Sequence, residues 1–285
     1  MEARVIARGV GQVMFQNNAL SGLLMLAGIF FSSWQLGMMA LGGNIVSTFV
    51  ARVLGCREAD IQDGLYGFNG TLVGLGVGVF MQTSPISLLL MAAASCLTVL
   101  LVRLFSMQHA VPGFTAPFIL SVWLLLAICS WLMPHSLLPS GDAVSAACGI
   151  QFMHAFSLGL GQVMFQADEV ASLCFLVALW VNSRVDAGYA VWGAALSLPL
   201  AMLLGVDAGT LNNGLMGYNG VLCALAFSGK SGCNFLWASV SVALSVLLQL
   251  AGQHWEIPTL TAPFVLAVWI TLLLQKVPFA SKEEV

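Results

Sequence analysis

GQVMFQ occupies Gly11–Gln16 and is written again, letter for letter, at Gly161–Gln166, an offset of 150 residues. Working outward, GLYGFNGTL at Gly64–Leu72 returns at the same offset as GLMGYNGVL, Gly214–Leu222, with six of nine positions identical. PGFTAPFILSVW, Pro112–Trp123, returns as PTLTAPFVLAVW, Pro258–Trp269, now at an offset of 146 because the connection before it is shorter. The chain is therefore two copies of one unit. In an apolar chain such duplication points to a transporter or channel whose site lies between the halves.

Only 7% of the residues are charged and 59% are hydrophobic, and the mean hydropathy is +0.95. Soluble domains carry roughly one quarter charged residues, so a water-soluble surface is excluded. Uncharged stretches such as Gly9–Ala51, Gly64–Val102 and Leu104–Gly141 are long enough for one or two crossings each, given about 20 apolar residues per span. Arg4 and Arg8 are followed by a stretch containing Gly and Gln rather than an unbroken apolar core with a cleavage site, so the start does not read as a signal peptide.

Turn residues cut each copy into five spans. In the first copy they run near Asn18–Leu41, Gly43–Leu54, Leu65–Phe80, Pro85–Val102 and Pro112–Trp131. In the second they run near Glu169–Asn182, Gly188–Leu204, Leu215–Phe227, Asn234–Ala251 and Pro258–Leu274. An odd number of spans makes the second copy enter the membrane from the other side. The expectation is an all-α integral membrane protein with ten transmembrane helices in two inverted five-helix repeats. With the N-terminus inside, all nine Lys and Arg fall in cytoplasmic segments, as the positive-inside rule asks. Both termini are then cytoplasmic.

Residues 1–16 and about 147–166, each ending in GQVMFQ, are left over and read as re-entrant half-helices, a device tolerated only where broken backbone faces protein or a water path. Their last carbonyls lack intrahelical donors and can point into a pore. A rival placement sets the broken segments just before Phe68 and Tyr218. The division that follows is residues 1–133 for the first repeat, 134–146 for an external linker and 147–285 for the second repeat.

A charged cargo calls for intramembrane counter-charges, and this chain nearly lacks them; Asp168 and Glu169 stand where the first copy has Asn18 and Ala19. What the copies retain are Gln12 and Gln162, Phe15 and Phe165, Phe68 and Tyr218, Leu72 and Leu222, and Thr115 and Thr261. Amide and carbonyl oxygens accept hydrogen bonds and aromatic faces make flat slots. A small planar solute with several N–H donors fits that chemistry, because each unpaired polar group carried into an apolar region costs several kcal/mol, about 2–7.

At these residues the chain resembles the urea transporter family, and bacterial urea channels in particular. GxGQVMFQ with Asn17 and Asn18, GLYGFNGTLVG and P-x-x-T-A-P-F follow the family pattern, and the resemblance covers essentially the whole chain. It implies a homotrimer in a bacterial inner membrane, each protomer carrying urea and close analogues passively through its own pore between the halves. Carried over position by position, Phe15, Phe68, Phe165 and Tyr218 form the aromatic slots, with Leu72 and Leu222 as slot walls. Backbone carbonyls of Gln12, Val13, Met14, Gln162, Val163 and Met164 form the oxygen ladders, or on the rival placement those of residues 65–67 and 215–217. Thr115 and Thr261 line the central constriction. Two positions depart from the pattern: Ala19 and Glu169 replace a Pro common in relatives, and one slot aromatic is Tyr218.

The alternative from another class is a proton- or sodium-coupled transporter of short amides using Asp168 and Glu169. An ammonia channel would place imidazoles along the pore, whereas His109, His135, His154 and His254 sit near loops or helix ends. An aquaporin-like channel would carry Asn-Pro-Ala. The seven cysteines show no C-x-x-C pattern, and no catalytic motif appears, so neither an enzyme nor a cofactor, metal or nucleic-acid partner is expected. Repeated Gly read as helix-packing residues, and Asn69 and Asn219 read either as ligands or as interhelical hydrogen-bonding residues.

Overall fold

The structure is a computed structural model that describes residues 2–108, 111–138, 149–228 and 234–276. His109, Cys148, Lys230, Cys233 and Lys282 lie outside the described residues, as do residues 139–146 of the expected linker. The described residues form helices joined by turns, with one isolated β-bridge, Met81 to Leu137.

The first half runs α1 (Ala3–Gly11), α2 (Ala19–Ser32), α3 (Trp34–Val53), α4 (Glu58–Gln62), α5 (Gly67–Phe80), α6 (Pro85–Met107) and α7 (Ala116–Leu132). The second runs α8 (Phe152–Gly161), α9 (Glu169–Asn182), α10 (Arg184–Leu203), α11 (Ala208–Asn212), α12 (Tyr218–Ala226), α13 (Asn234–His254) and α14 (Ala262–Lys276). The order of long, short and broken elements is the same in both. Helices α3, α6, α10 and α13 are long and apolar enough to cross a membrane, and two bent pairs, α1 with α2 and α8 with α9, raise the number to six.

Those bends, 77° and 72°, fall at the two GQVMFQ segments. Each helix tightens into a 3₁₀ turn, Gln12–Met14 or Gln162–Met164, and stops at a phenylalanine in the left-handed region, φ 62° at Phe15 and 59° at Phe165. The stop is secured by a backbone bond five residues back, Gln16 N to Gly11 O and Gln166 N to Gly161 O, both 3.0 Å, the pattern of a Schellman terminus. A left-handed non-glycine residue costs about 1 kcal/mol, and both copies accept that cost at the same place. The next helix restarts on a capping side chain: Asn18 Oδ1 accepts Leu20 N at 2.8 Å, and Asp168 Oδ1 accepts Ala171 N at 2.8 Å. Asp168 therefore does in the second copy what an uncharged Asn does in the first.

The boundary expected between Asn18–Leu41 and Gly43–Leu54 falls at Ser33 instead, and α3 runs unbroken through Gly42. Ser33 is extended and its Oγ accepts Leu36 N at 3.3 Å, ending α2 and capping α3; Ser183 does the same for Asp186 N at 3.2 Å. An N-cap serine satisfies a free amide, and the long apolar run around Ser33 conceals it.

Helix α3 meets α5 as α10 meets α12, at backbone contact. A Cβ on Gly43 would lie 2.0 Å from Gly70 O, and one on Gly193 would lie 2.4 Å from Gly220 O, so only glycine permits this approach. The main core joins side chains of both halves, including Val10, Met14, Leu72, Phe118, Met164, Leu222 and Phe264.

Candidate functional site

The two QVM turns lie against each other at the centre of the fold, bringing together the C-terminal ends of α1 and α8. Both ends carry the partial negative charge of a helix C-terminus, which favours N–H donors. Val13, Met14, Val163 and Met164 are at most 2% exposed. Of the expected ladder, the Gln12 carbonyl already accepts Phe15 N at 3.0 Å and the Gln162 carbonyl accepts Phe165 N at 3.1 Å. The Met14 and Met164 carbonyls accept Gln16 Nε2 and Gln166 Nε2 at 2.8 and 2.7 Å. A carbonyl oxygen has two lone pairs, so each keeps one acceptor site.

The amides of Gln12 and Gln162 have another task. Gln12 Nε2 donates to Asp63 O and Gln162 Nε2 to Asn213 O, both at 2.9 Å. These bonds pin the turn before Phe68 and before Tyr218 onto the QVM turn. The two placements weighed for the broken segment are thus neighbours around one site. The left-handed Gly64 and Gly214, φ 76° and 72°, turn the chain there.

On the first-half side this neighbourhood opens into a cavity of about 640 Å³. Gln12, Val13, Phe15, Phe68 and Thr115 of the expected site line it, together with Leu65, Asn69, Val102, Phe105, Ser106 and Phe114. Phe15 meets Phe114 edge-on with centroids 5.9 Å apart, and Phe114 lies 5.3 Å from Phe264. Leu72 and Leu222, one helical turn beyond Phe68 and Tyr218, are at most 1% exposed.

At the matching place in the second half the aromatic ring is tethered by hydrogen bonds. Tyr218 is 8% exposed, and its hydroxyl donates to Leu260 O at 2.6 Å, with Gln249 Oε1 and Thr259 Oγ1 each at 3.3 Å. Gln249 Oε1 also accepts Asn219 Nδ2 at 3.1 Å. Where α13 supplies Gln249, α6 supplies Val102, Phe105 and Ser106 to the cavity wall.

Between the two sides the halves touch through reciprocal pairs. Thr115 Oγ1 and Thr261 Oγ1 share a hydrogen bond at 2.7 Å. Phe15 packs edge-on against Phe264 at 6.1 Å, and Phe165 against Phe118 at 6.3 Å. Trp123 Nε1 donates to Pro258 O at 2.7 Å, and Trp269 Nε1 to Pro112 O at 2.8 Å. Within each half one bond recurs beside them: Asn69 Oδ1 accepts Phe118 N at 3.0 Å, and Asn219 Oδ1 accepts Phe264 N at 3.1 Å. Among the described residues every buried polar side chain is uncharged.

Sequence reasoning passed over Gln16 and Gln166, although both stand inside the repeated motif, and left the Asn69/Asn219 pair open between ligands and interhelical hydrogen bonding. It also missed Phe114 and Gln249, which carry no repeat signal: their partners are Leu260, at the 146-residue offset, and the stretch of α6 that supplies Val102, Phe105 and Ser106 to the cavity wall. Glu169 pairs with His154 Nδ1 at 2.6 Å on an exposed surface, away from the buried contacts between the halves.

A buried, uncharged, two-sided junction within bent apolar helices defines an integral membrane transporter. The chain matches the family described as "UT: Urea transporter" over residues 3–276, and it belongs to that family. It is similar to proteins named Urea transporter 1: that of Rattus norvegicus is 27% identical over 296 residues, covering 94% of this chain and 76% of the relative. Those of Mus musculus and Ovis aries are 26% and 24% identical over 294 and 295 residues, with the same 94% and 76% coverage. Its activity is the transport of urea across a membrane; it is a transporter and not an enzyme.

Proposed function

We propose that the chain is a passive, channel-like path for urea running between its halves, from the Phe68 cavity past the Thr115–Thr261 contact to the Tyr218 side. The observation that carries this reading is the uncharged burial: among the described residues no buried side chain is ionisable as an acid or base of the Asp, Glu, Lys or Arg kind. An ion entering such a path loses hydration that several kcal/mol of compensation would have to replace, and there is no opposite charge to supply it. Urea loses only hydrogen bonds, and the carbonyls of residues 12–14 and 162–164 accept its N–H groups in turn. Phe15, Phe68, Phe165 and Tyr218 bound its flat faces, and Leu72 and Leu222 back the aromatic rings. Release stays fast because each contact is single and weak.

The reciprocal contacts across the centre are those of a two-fold relation, and they support ten spans in two inverted repeats, 1–133 and 147–285, each led by a re-entrant half-helix, with 134–146 as an external linker. A bacterial inner-membrane homotrimer with cytoplasmic termini completes the reading, on family resemblance and the placement of Lys and Arg. The placement of the two acids favours passive flow over coupling, since Asp168 caps α9 and Glu169 lies outside the buried path.

Purified protein in proteoliposomes tests this. Urea should equilibrate rapidly and to the same level with and without proton or sodium gradients. Accumulation above the external concentration driven by either gradient would establish the coupled alternative instead.

A further inference from the structure

Urea has four N–H donors and one carbonyl oxygen, and the carbonyl ladder answers only the donors. The oxygen needs a donor from the protein, or it enters an apolar region unpaired at a cost of several kcal/mol, about 2–7. Asn69 is fully buried, borders the 640 Å³ cavity, and its Nδ2 has no hydrogen-bond partner among the described residues. Its Oδ1 is fixed by Phe118 N at 3.0 Å. Native interiors rarely leave such a donor unmet, and each unexplained one calls for a reason.

The second half shows what an ordinary structural role looks like. Asn219 caps Phe264 N in the same way, but its Nδ2 is taken by Gln249 Oε1 at 3.1 Å. On the first side no acceptor takes that place: Val102 and Phe105 form the wall. The terminal torsion of an Asn is broad, so a small swing about the Oδ1 anchor turns the amide toward the cavity.

Resting on the urea-channel reading, we propose that Asn69 is a solute-binding residue whose Nδ2 donates to the urea carbonyl oxygen at the first mouth, and that Gln249 withholds the equivalent donor at the second. The N–H groups of the same urea then face the QVM carbonyls, so both ends of the solute are paired before it reaches Thr115.

The test compares Asn69→Leu with Asn219→Leu, because both lose a cap to the following helix and only the first loses a free donor. Half-saturating concentrations of urea and of thiourea, whose sulfur is a weak acceptor, are measured for entry from the cavity side in proteoliposomes. Asn69→Leu should raise the urea value about tenfold, the worth of one hydrogen bond, and the thiourea value much less. Asn219→Leu should shift both solutes alike. Equal shifts for urea and thiourea in Asn69→Leu, or none, overturn the proposal. If Asn69→Leu does not assemble, the double variant Tyr218→Phe, Gln249→Leu decides: it frees Asn219 Nδ2 and should lower urea half-saturation at the second mouth, and no change there overturns the proposal. A wild-type protein that passes no urea refutes the channel reading itself, whereas a conducting wild type with an unaffected Asn69→Leu refutes only the role of Asn69.

Discussion

Phe68 and Tyr218 stand at matching places in the two copies, yet one borders an open cavity and the other is tied into the wall by three polar neighbours. The backbone around them is nearly the same: the left-handed turns at Phe15 and Phe165, the Gln12 and Gln162 pins and the asparagine caps all recur. The difference comes from two side chains, a hydroxyl on Tyr218 and an amide at Gln249. Duplication therefore conserves the frame that positions the path, while single substitutions decide how each mouth meets solute.

The largest contrast should appear in the glutamines behind the QVM turns. Gln16 reaches Met14 O, Asp186 Oδ2 and Asn182 Nδ2 at 2.8, 3.2 and 2.6 Å. Among the described residues Gln166 reaches Met164 O alone, at 2.7 Å, and its Oε1 has no partner. At about 1 kcal/mol per net hydrogen bond, Gln16→Leu should cost about 3 kcal/mol and Gln166→Leu about 1 or less. Thermal unfolding in detergent checks this; equal losses would mean the two turns are held alike.

Next comes the shared centre. Thr261→Val leaves the Thr115 hydroxyl unpartnered, and urea flux should fall about tenfold with assembly unchanged. Unaltered flux would remove the threonine pair from the path. Tyr218→Phe should make the second mouth resemble the first, raising the passage of N-methylurea relative to urea about threefold, the release of under 1 kcal/mol of polar anchoring. An unchanged ratio would show that the hydroxyl does not set that mouth.

The smallest effect is an acid one, confined to a turn of the second half. Asp207 caps α11, accepting Thr210 N at 2.9 Å, and hydrogen bonds from Thr210, side chain first and then backbone, hold its carboxyl below the ordinary 3.8. A lowered folded-state value means the stabilisation is present above the unfolded pKa and is lost as pH falls through the folded one. Wild type should therefore lose more thermal stability than Asp207→Asn on going from pH 6 to about pH 3. Parallel losses would contradict the cap's ionic character.

Much of this was legible in the repeated text, because a recurring string in an apolar chain marks backbone geometry that both copies need. GQVMFQ marks the bends, and T-A-P-F marks the threonine contact. The break at Ser33 was hidden because an N-cap signal is weak inside a long apolar run, although Ser183 repeats it. The bracing of the Met14 carbonyl by the Gln16 amide was not legible, because it depends on where the residue after a 3₁₀ turn points its side chain. Gln249 was invisible for a different reason: comparing copies finds what they share, and the tethering of Tyr218 and Asn219 rests on what they do not.

Unequal mouths on a passive path have a kinetic signature. In uniformly oriented proteoliposomes, zero-trans urea flux measured in each direction should give a lower half-saturation from the cavity side. The ratio of maximal flux to half-saturation should be equal both ways, as detailed balance demands of an uncoupled path. Identical half-saturation from both sides would contradict the unequal mouths, and unequal ratios would contradict passive flow.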